Sequence, residues 1–171
     1  INPGNSGGPL LDTKGRMIGI NTMIYSTSGS SAGIGFAVPV NTARRVVSDL
    51  IQYGKVRRGV IQAEYVQLTP SIANYAKLDI SSGLLISRLM KGSKAEKVGL
   101  MAGTEAVRYG NSRNSKIIYL GGDVITAIDD EAVTNLADYY SLLESKRPGD
   151  IVKITVYRKG KYVDLKIELE E

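Results

Sequence analysis

Hydrophobic and polar positions change period several times along the chain, and each change marks a predicted element. Pro9-Leu10-Leu11, the turn Asp12-Thr13-Lys14-Gly15 and the run Arg16–Asn21 read as a hairpin. A Ser/Gly-rich loop from Tyr25 to Gly33 separates it from a short strand, Gly35–Val40, which ends at or just after Pro39. Ala43, Val46, Val47, Leu50 and Ile51 then recur at helical spacing. They predict a helix capped by Asn41 or Thr42 and stopped at Gly54.

Gln52 to Arg58 reads as a linker into a second unit. Strands are expected at 60–67, 84–89 and 123–129, with short helices opening at Thr69 or Ser71 and at Ser93. Residues 102–120 are polar and broken by glycine, and are expected to form a long loop. A helix is predicted over 135–145, with Leu136, Tyr139, Tyr140 and Leu143 spaced as one buried stripe. Period-two alternation over 151–157 and 162–169, around Lys159-Gly160, predicts a closing hairpin.

Composition narrows the chemistry. The 171 residues carry a formal charge of +5 with both signs interspersed, so there is no basic, aromatic-laced surface for nucleic acid. Neither Cys nor His occurs. Disulfides, thiolate or imidazole metal sites and a Ser-His-Asp triad made from this chain alone are thereby excluded, and no metal or organic cofactor is indicated. No apolar run reaches the roughly 20 residues that span a bilayer, so no membrane contact is expected from this segment. The first residue is Ile1 rather than Met, and the chain is expected to be a piece of something longer.

One turn carries candidate chemistry. In Gly4-Asn5-Ser6-Gly7-Gly8-Pro9, glycines flank a serine. They permit a tight turn that aims several N–H groups into one space beside the hydroxyl, as a nucleophile and an oxyanion site require. The nucleophile elbow of α/β-hydrolases is the less favoured reading of this serine, because no strand-to-helix turn follows it.

Asn5-Ser6-Gly7-Gly8-Pro9-Leu10 resembles the nucleophile motif of trypsin-fold serine proteases. With Gly15–Thr22 and Gly33–Pro39, the resemblance narrows to the HtrA protease–chaperones. It implies that Ser6 is the nucleophile and that the backbone N–H groups of Gly4 and Ser6 form the oxyanion hole. Asn21, Thr22, Met23 and Ile24 would form the strand that pairs with substrate, and Tyr25 to Ser31 a specificity loop. The family's His and Asp come from a preceding segment, so the chain alone is expected to be inactive. Neither Asp12 nor Asp49 matches a triad position.

Residues 57–171 resemble a PDZ domain in the circularly permuted arrangement of HtrA proteases. The resemblance rests on Arg58-Gly59, Ser82–Ser87, Lys94–Leu100 and Gly121-Gly122-Asp123 before an apolar strand. Such domains add a peptide C-terminus as an extra strand, hold its carboxylate on loop N–H groups and line its pocket with a helix. By position, the loop is Gly59, Val60, Ile61, Gln62 and Ala63, preceded by Arg58, and the helix offers Leu136, Tyr139, Tyr140 and Leu143. Gln62 stands where the family has Gly, which puts carboxylate binding in question and leaves internal segments as an alternative ligand.

The expected fold is therefore mostly β with α+β character: a partial trypsin-like β-barrel over 1–56, followed by a PDZ domain over 57–171. The expected whole is a serine endopeptidase acting on unfolded or misfolded proteins. Its partners would be unfolded polypeptides or peptide C-termini, its full-length state a homo-oligomer, and its setting extracytoplasmic, periplasmic or membrane-anchored. The alternative is a non-catalytic peptide-binding chaperone or scaffold.

Overall fold

The computed structural model describes residues 4–25, 34–111 and 114–171. The chain divides into two compact units, Ile1–Val56 and Arg57–Glu171. Among the described residues, no helix is long and apolar enough to cross a membrane.

In the first unit, β1 (Pro9–Leu11), β2 (Met17–Tyr25) and β3 (Ile34–Pro39) form an antiparallel sheet in that order, and the sheet is not closed into a barrel. The β1–β2 turn is built around Asp12. Its carboxylate accepts the N–H groups of Lys14 and Arg16, each at 2.9 Å, and the Arg16 guanidinium at 2.8 Å. The Arg16 amide first, and then its guanidinium, hold the Asp12 carboxyl below its usual range. The residues of the predicted loop from 26 to 33 lie outside the described residues, while Tyr25 itself ends β2.

Helix α1 (Val40–Tyr53) departs from expectation at its start. It follows Pro39 directly and has no side-chain cap, so Asn41 and Thr42 sit inside the first turn, not ahead of it. Gly54 does end it, in a left-handed conformation with its N–H on Leu50 O at 3.0 Å. The apolar stripe is buried only at Ala43, with Val46 half-buried; Val47, Leu50 and Ile51 are exposed. A single sheet beside one helix provides only one contact face for it.

The second unit has a sheet of β4 (Ala63–Gln67), β5 (Leu84–Leu89), β8 (Val124–Ile128), β10 (Ile151–Arg158) and β11 (Lys161–Glu168). Its order is β11-β10-β8-β5-β4, and every pair is antiparallel. Short β9 (Glu131–Ala132) pairs back on β8 through Asp129 and Asp130, whose φ values of 48° and 68° suit a tight two-residue turn. The first strand is shorter than predicted: Val60 makes only an isolated bridge with Glu170 before β4 begins.

This sheet is buried on both faces. Leu84, Ile86, Ile125, Val152, Ile154 and Val156 pack with Tyr139 and Leu143 of helix α4 (Leu136–Leu143). Leu85, Val124 and Tyr157 point the other way, onto Ile72 and Ala73 of helix α2 (Pro70–Tyr75) and onto Ile118 and Leu120. Two-sided burial explains why Leu84-Leu85-Ile86 is a continuous apolar run.

The second face also corrects the expected loop at 102–120. Strands β6 (Glu105–Asn111) and β7 (Asn114–Leu120) form an antiparallel hairpin instead. Val107 pairs with Ile118, and with Leu120 they cover the α2 side of the sheet. Of the two expected starts for α2, Thr69 caps it through Oγ1 and Ser71 lies inside the helix, while Ser93 Oγ caps α3 (Lys94–Lys97).

Asp123 is 1% exposed and lies against the Arg158 guanidinium, with Nε–Oδ1 and Nη2–Oδ2 both at 2.7 Å. Met101 N–H also donates to Asp123, and Arg158 donates to Gly99 O. Gly122 beside it has no room for a Cβ, which would lie 2.2 Å from Ile86 O. The Gly-Asp pair before β8 is thus a clamp joining β10 to the turn after α3.

Removing one partner of such a buried pair leaves an uncompensated charge, typically costing about 3–5 kcal/mol. Asp123→Ala should therefore lower the urea midpoint by that scale, whereas Glu168→Ala, which breaks the exposed Lys94–Glu168 pair, should cost under about 1 kcal/mol. Asp129 gives a pH dependence. The Lys146 ammonium at 2.7 Å, then the Lys153 amide at 2.9 Å, hold its carboxyl below the usual range. A lowered folded-state pKa stabilises the fold above the unfolded value of about 3.9, and that stabilisation is lost as pH falls through the lowered value. Asp129→Asn should cost stability at neutral pH and nothing at the acid end. A constant difference in urea midpoint across pH would contradict this.

Candidate functional site

The serine turn precedes β1 and is held to β2 by paired backbone bonds. Gly7 N–H donates to Asn21 O at 2.8 Å, and Asn21 N–H donates to Gly8 O at 2.9 Å. Gly8 N–H closes the turn on Asn5 O at 3.0 Å. Gly4 has φ +95°, in the region that strains any residue with a Cβ. Among the described residues, no acceptor takes the N–H of Gly4 or Ser6. Ser6 is exposed, and its hydroxyl donates to Thr22 O at 2.8 Å.

The geometry brings Ser6 together with the strand residues singled out in the sequence. β1 accompanies β2 only as far as Ile20. Beyond it, Asn21 is bound to the turn, Thr22 receives Ser6 and fixes its own hydroxyl on Phe36 O at 2.9 Å, and Met23 is 59% exposed. Ile24 continues β2 in register with Gly35. Asn21 is buried, and its Oδ1 has no partner among the described residues. Asp12 is committed to its own turn, as its hydrogen bonds show.

In the second unit, the predicted loop and helix meet. Gly59 is buried, with its N–H on Lys146 O at 3.2 Å. Val60 exchanges both backbone bonds with Glu170. Ile61 is 3% exposed and donates its N–H to the Tyr139 hydroxyl at 3.3 Å. Ala63 opens β4, the edge strand of the sheet. Gln62 is not in the left-handed region, so this backbone does not demand glycine there. Its Nε2 donates to Glu171 O at 2.8 Å, and its carbonyl accepts Met90 N–H.

The four helix residues do not form one buried stripe. Tyr139 and Leu143 are buried and Leu136 is half-buried, but Tyr140 is 61% exposed. Neighbouring residues on a helix point about 100° apart, so Tyr139 can face the core while Tyr140 turns outward. Tyr140 lines a cleft of about 490 Å³ with Gly59, Val60, Tyr139 and Leu143, which Arg58 and Glu144 also border.

The sequence reading missed Tyr65. Its ring lies 4.9 Å from that of Tyr139, its hydroxyl donates to Ile61 O at 2.8 Å, and the two hydroxyls are 3.1 Å apart. Burial, and next the neighbouring Tyr139, push the Tyr65 hydroxyl above the usual phenol range, and burial does the same for Tyr139. Both remain neutral and keep their protons. The only sequence signal was an aromatic residue within a strand of the expected groove.

Truncation separates the two helix tyrosines. Tyr139→Ala should cost about 3–5 kcal/mol, as for a buried aromatic. Tyr140→Ala should cost at most about 1.5 kcal/mol, the scale of its edge-on contact with Tyr139. Thermal or urea unfolding of both variants measures the difference.

The comparisons with known proteins cover both units. The PDZ domain family matches residues 77–169, and the trypsin family matches residues 1–47. The chain is 34% identical to the periplasmic pH-dependent serine endoprotease DegQ of Escherichia coli over 99% of its own length and 33% of that protein. It is 38% identical to the chloroplastic protease Do-like 1 of Arabidopsis thaliana over 99% of its length and 36% of the relative. The chain thus spans about a third of these curated relatives. A solved structure of the HtrA-type protease AlgW with a decapeptide matches with TM-score 0.66 and 35% identity, over 99% of this chain and 46% of that one. With a PDZ match across more than half its length, this chain belongs to the PDZ domain family, and the trypsin match at its N-terminal side and the HtrA-type neighbours along nearly all of it support an HtrA-type trypsin-fold protease that carries a PDZ domain.

Proposed function

We propose that the chain is the C-terminal portion of a serine endopeptidase that degrades unfolded or misfolded polypeptides, with its PDZ domain binding peptide or regulating activity. Ser6 is the nucleophile, and the N–H groups of Gly4 and Ser6 receive the oxyanion that forms when its Oγ attacks a peptide carbonyl. Asn21, Thr22, Met23 and Ile24 align the substrate backbone beside Ser6. The observation that carries this reading is the left-handed turn at Gly4, tied to β2 and holding an exposed Ser6 hydroxyl on Thr22 O.

The chain has no His, so the group that takes the Ser6 proton comes from outside these 171 residues, together with the Asp that orients it. Triad knockouts lose about 10⁴- to 10⁶-fold in rate, which sets the activity expected of this chain alone. The homo-oligomer expected of the full-length protein rests on family resemblance. An extracytoplasmic setting is supported by the periplasmic relatives, of which the Escherichia coli protease is one.

Fluorophosphonate labelling, with the site and intact mass read by mass spectrometry, tests this reading. The 171-residue chain should remain unlabelled. In the native protein, a species heavier than 18.4 kDa should carry the label on Ser6, and Ser6→Ala should abolish it. An unlabelled Ser6 in the folded native protein would instead favour the non-catalytic peptide-binding chaperone or scaffold.

A further inference from the structure

In the expected PDZ mode, backbone N–H groups of the Gly59–Ala63 loop receive a terminal carboxylate. Here the Ile61 N–H is already engaged. It donates to Tyr139 Oη, and Tyr65 Oη donates to Ile61 O. Each phenol has one proton, so the remaining contact between the hydroxyls is Tyr139 donating to Tyr65. The result is a closed ring: Ile61 N–H to Tyr139, Tyr139 to Tyr65, and Tyr65 back to Ile61 O. It takes the Ile61 N–H away from an incoming carboxylate.

Charge gives no compensation. The charged side chains bordering the cleft are Arg58 and Glu144, one of each sign. The Gln62 side chain is turned away onto Glu171 O. What stays open is the outer side of β4, which no other strand of its sheet covers, and the apolar cleft wall of Val60, Tyr140 and Leu143. Those features suit an extended backbone and an apolar side chain, whether or not the ligand ends there.

Resting on the proposed peptide-binding role, we propose that Tyr139, closed onto Tyr65 and Ile61, makes this domain a reader of internal extended segments with an apolar side chain, and not of free C-termini. Tyr139 is a specificity-determining residue because its hydroxyl occupies the Ile61 N–H, one of the loop donors that a carboxylate would use. Tyr139→Phe keeps the ring in the core and frees that donor.

The test uses the 171-residue chain and decapeptides with an apolar last residue, each made as a free acid, as a carboxamide and with a short polar C-terminal extension. Fluorescence anisotropy gives the affinities. For the wild type, the three forms should bind within about threefold of one another, the scatter of a contact worth under 1 kcal/mol. Tyr139→Phe should strengthen the acids by about tenfold and leave the carboxamides unchanged, the scale of one hydrogen bond to a charged group. Tyr65→Phe, which leaves Ile61 N–H on Tyr139, should give no such gain. A wild-type preference for the acid of about tenfold or more overturns the proposal while upholding peptide binding. An unchanged acid-to-amide ratio in a folded Tyr139→Phe overturns the role of Tyr139. Failure of every form to bind wild type and variant overturns peptide binding itself. Should Tyr139→Phe not fold, the wild-type acid–amide comparison decides alone.

Discussion

A sheet buried on both faces leaves no room for an unfilled volume or an unpaired polar group, and that constraint shapes the C-terminal unit. Leu84 and Ile86 pack towards α4, while Leu85 between them packs towards α2. Each face needs its own cover. Helix α4 supplies one, and α2 with the β6–β7 hairpin supplies the other. The polar groups drawn under these covers are satisfied internally. Asp123 takes Arg158 and the Met101 amide, and the Ile61 peptide takes two tyrosine hydroxyls. Leaving either unpaired would cost kilocalories, so the same pressure that builds the core also closes the loop beside the cleft.

The N-terminal unit follows a different logic. Among the described residues it has three strands and one helix, and Leu11, Met23, Phe36 and Ile51 are exposed. What it does fix is local: an Asp12-centred turn, a left-handed Gly4, and paired bonds that hold the Ser6 turn against β2. Local backbone chemistry is enough to position a hydroxyl and neighbouring amides. The proposed nucleophile role adds a separate requirement, a triad His, and this sequence contains no His.

The legible parts of the sequence were those fixed by short-range chemistry. The closing hairpin, the Thr69 and Ser93 caps and the Gly54 stop follow from alternation, capping residues and a left-handed glycine. The hairpin at 105–120 was hidden by Gly110 and its charges, although Val107, Ile118 and Leu120 already carried the alternation that seals it to the sheet. Tyr139 and Tyr140 fell in one predicted stripe because periodicity blurs its own edges. The Tyr65–Tyr139 and Asp123–Arg158 pairs join residues 74 and 35 positions apart, a separation that local pattern does not encode. The candidate serine was legible from its flanking glycines, whereas the occupancy of the Ile61 amide required the folded geometry.

The claim that joins fold to specificity is that Ile61 N–H is held by a side chain under α4. Amide hydrogen exchange in the free, native chain tests it most directly. The account predicts that Ile61 exchanges as slowly as the paired amides of β5 and β8, although it belongs to no strand. Exchange at the rate of an exposed loop amide would contradict it, leaving the Ile61 amide free for a carboxylate.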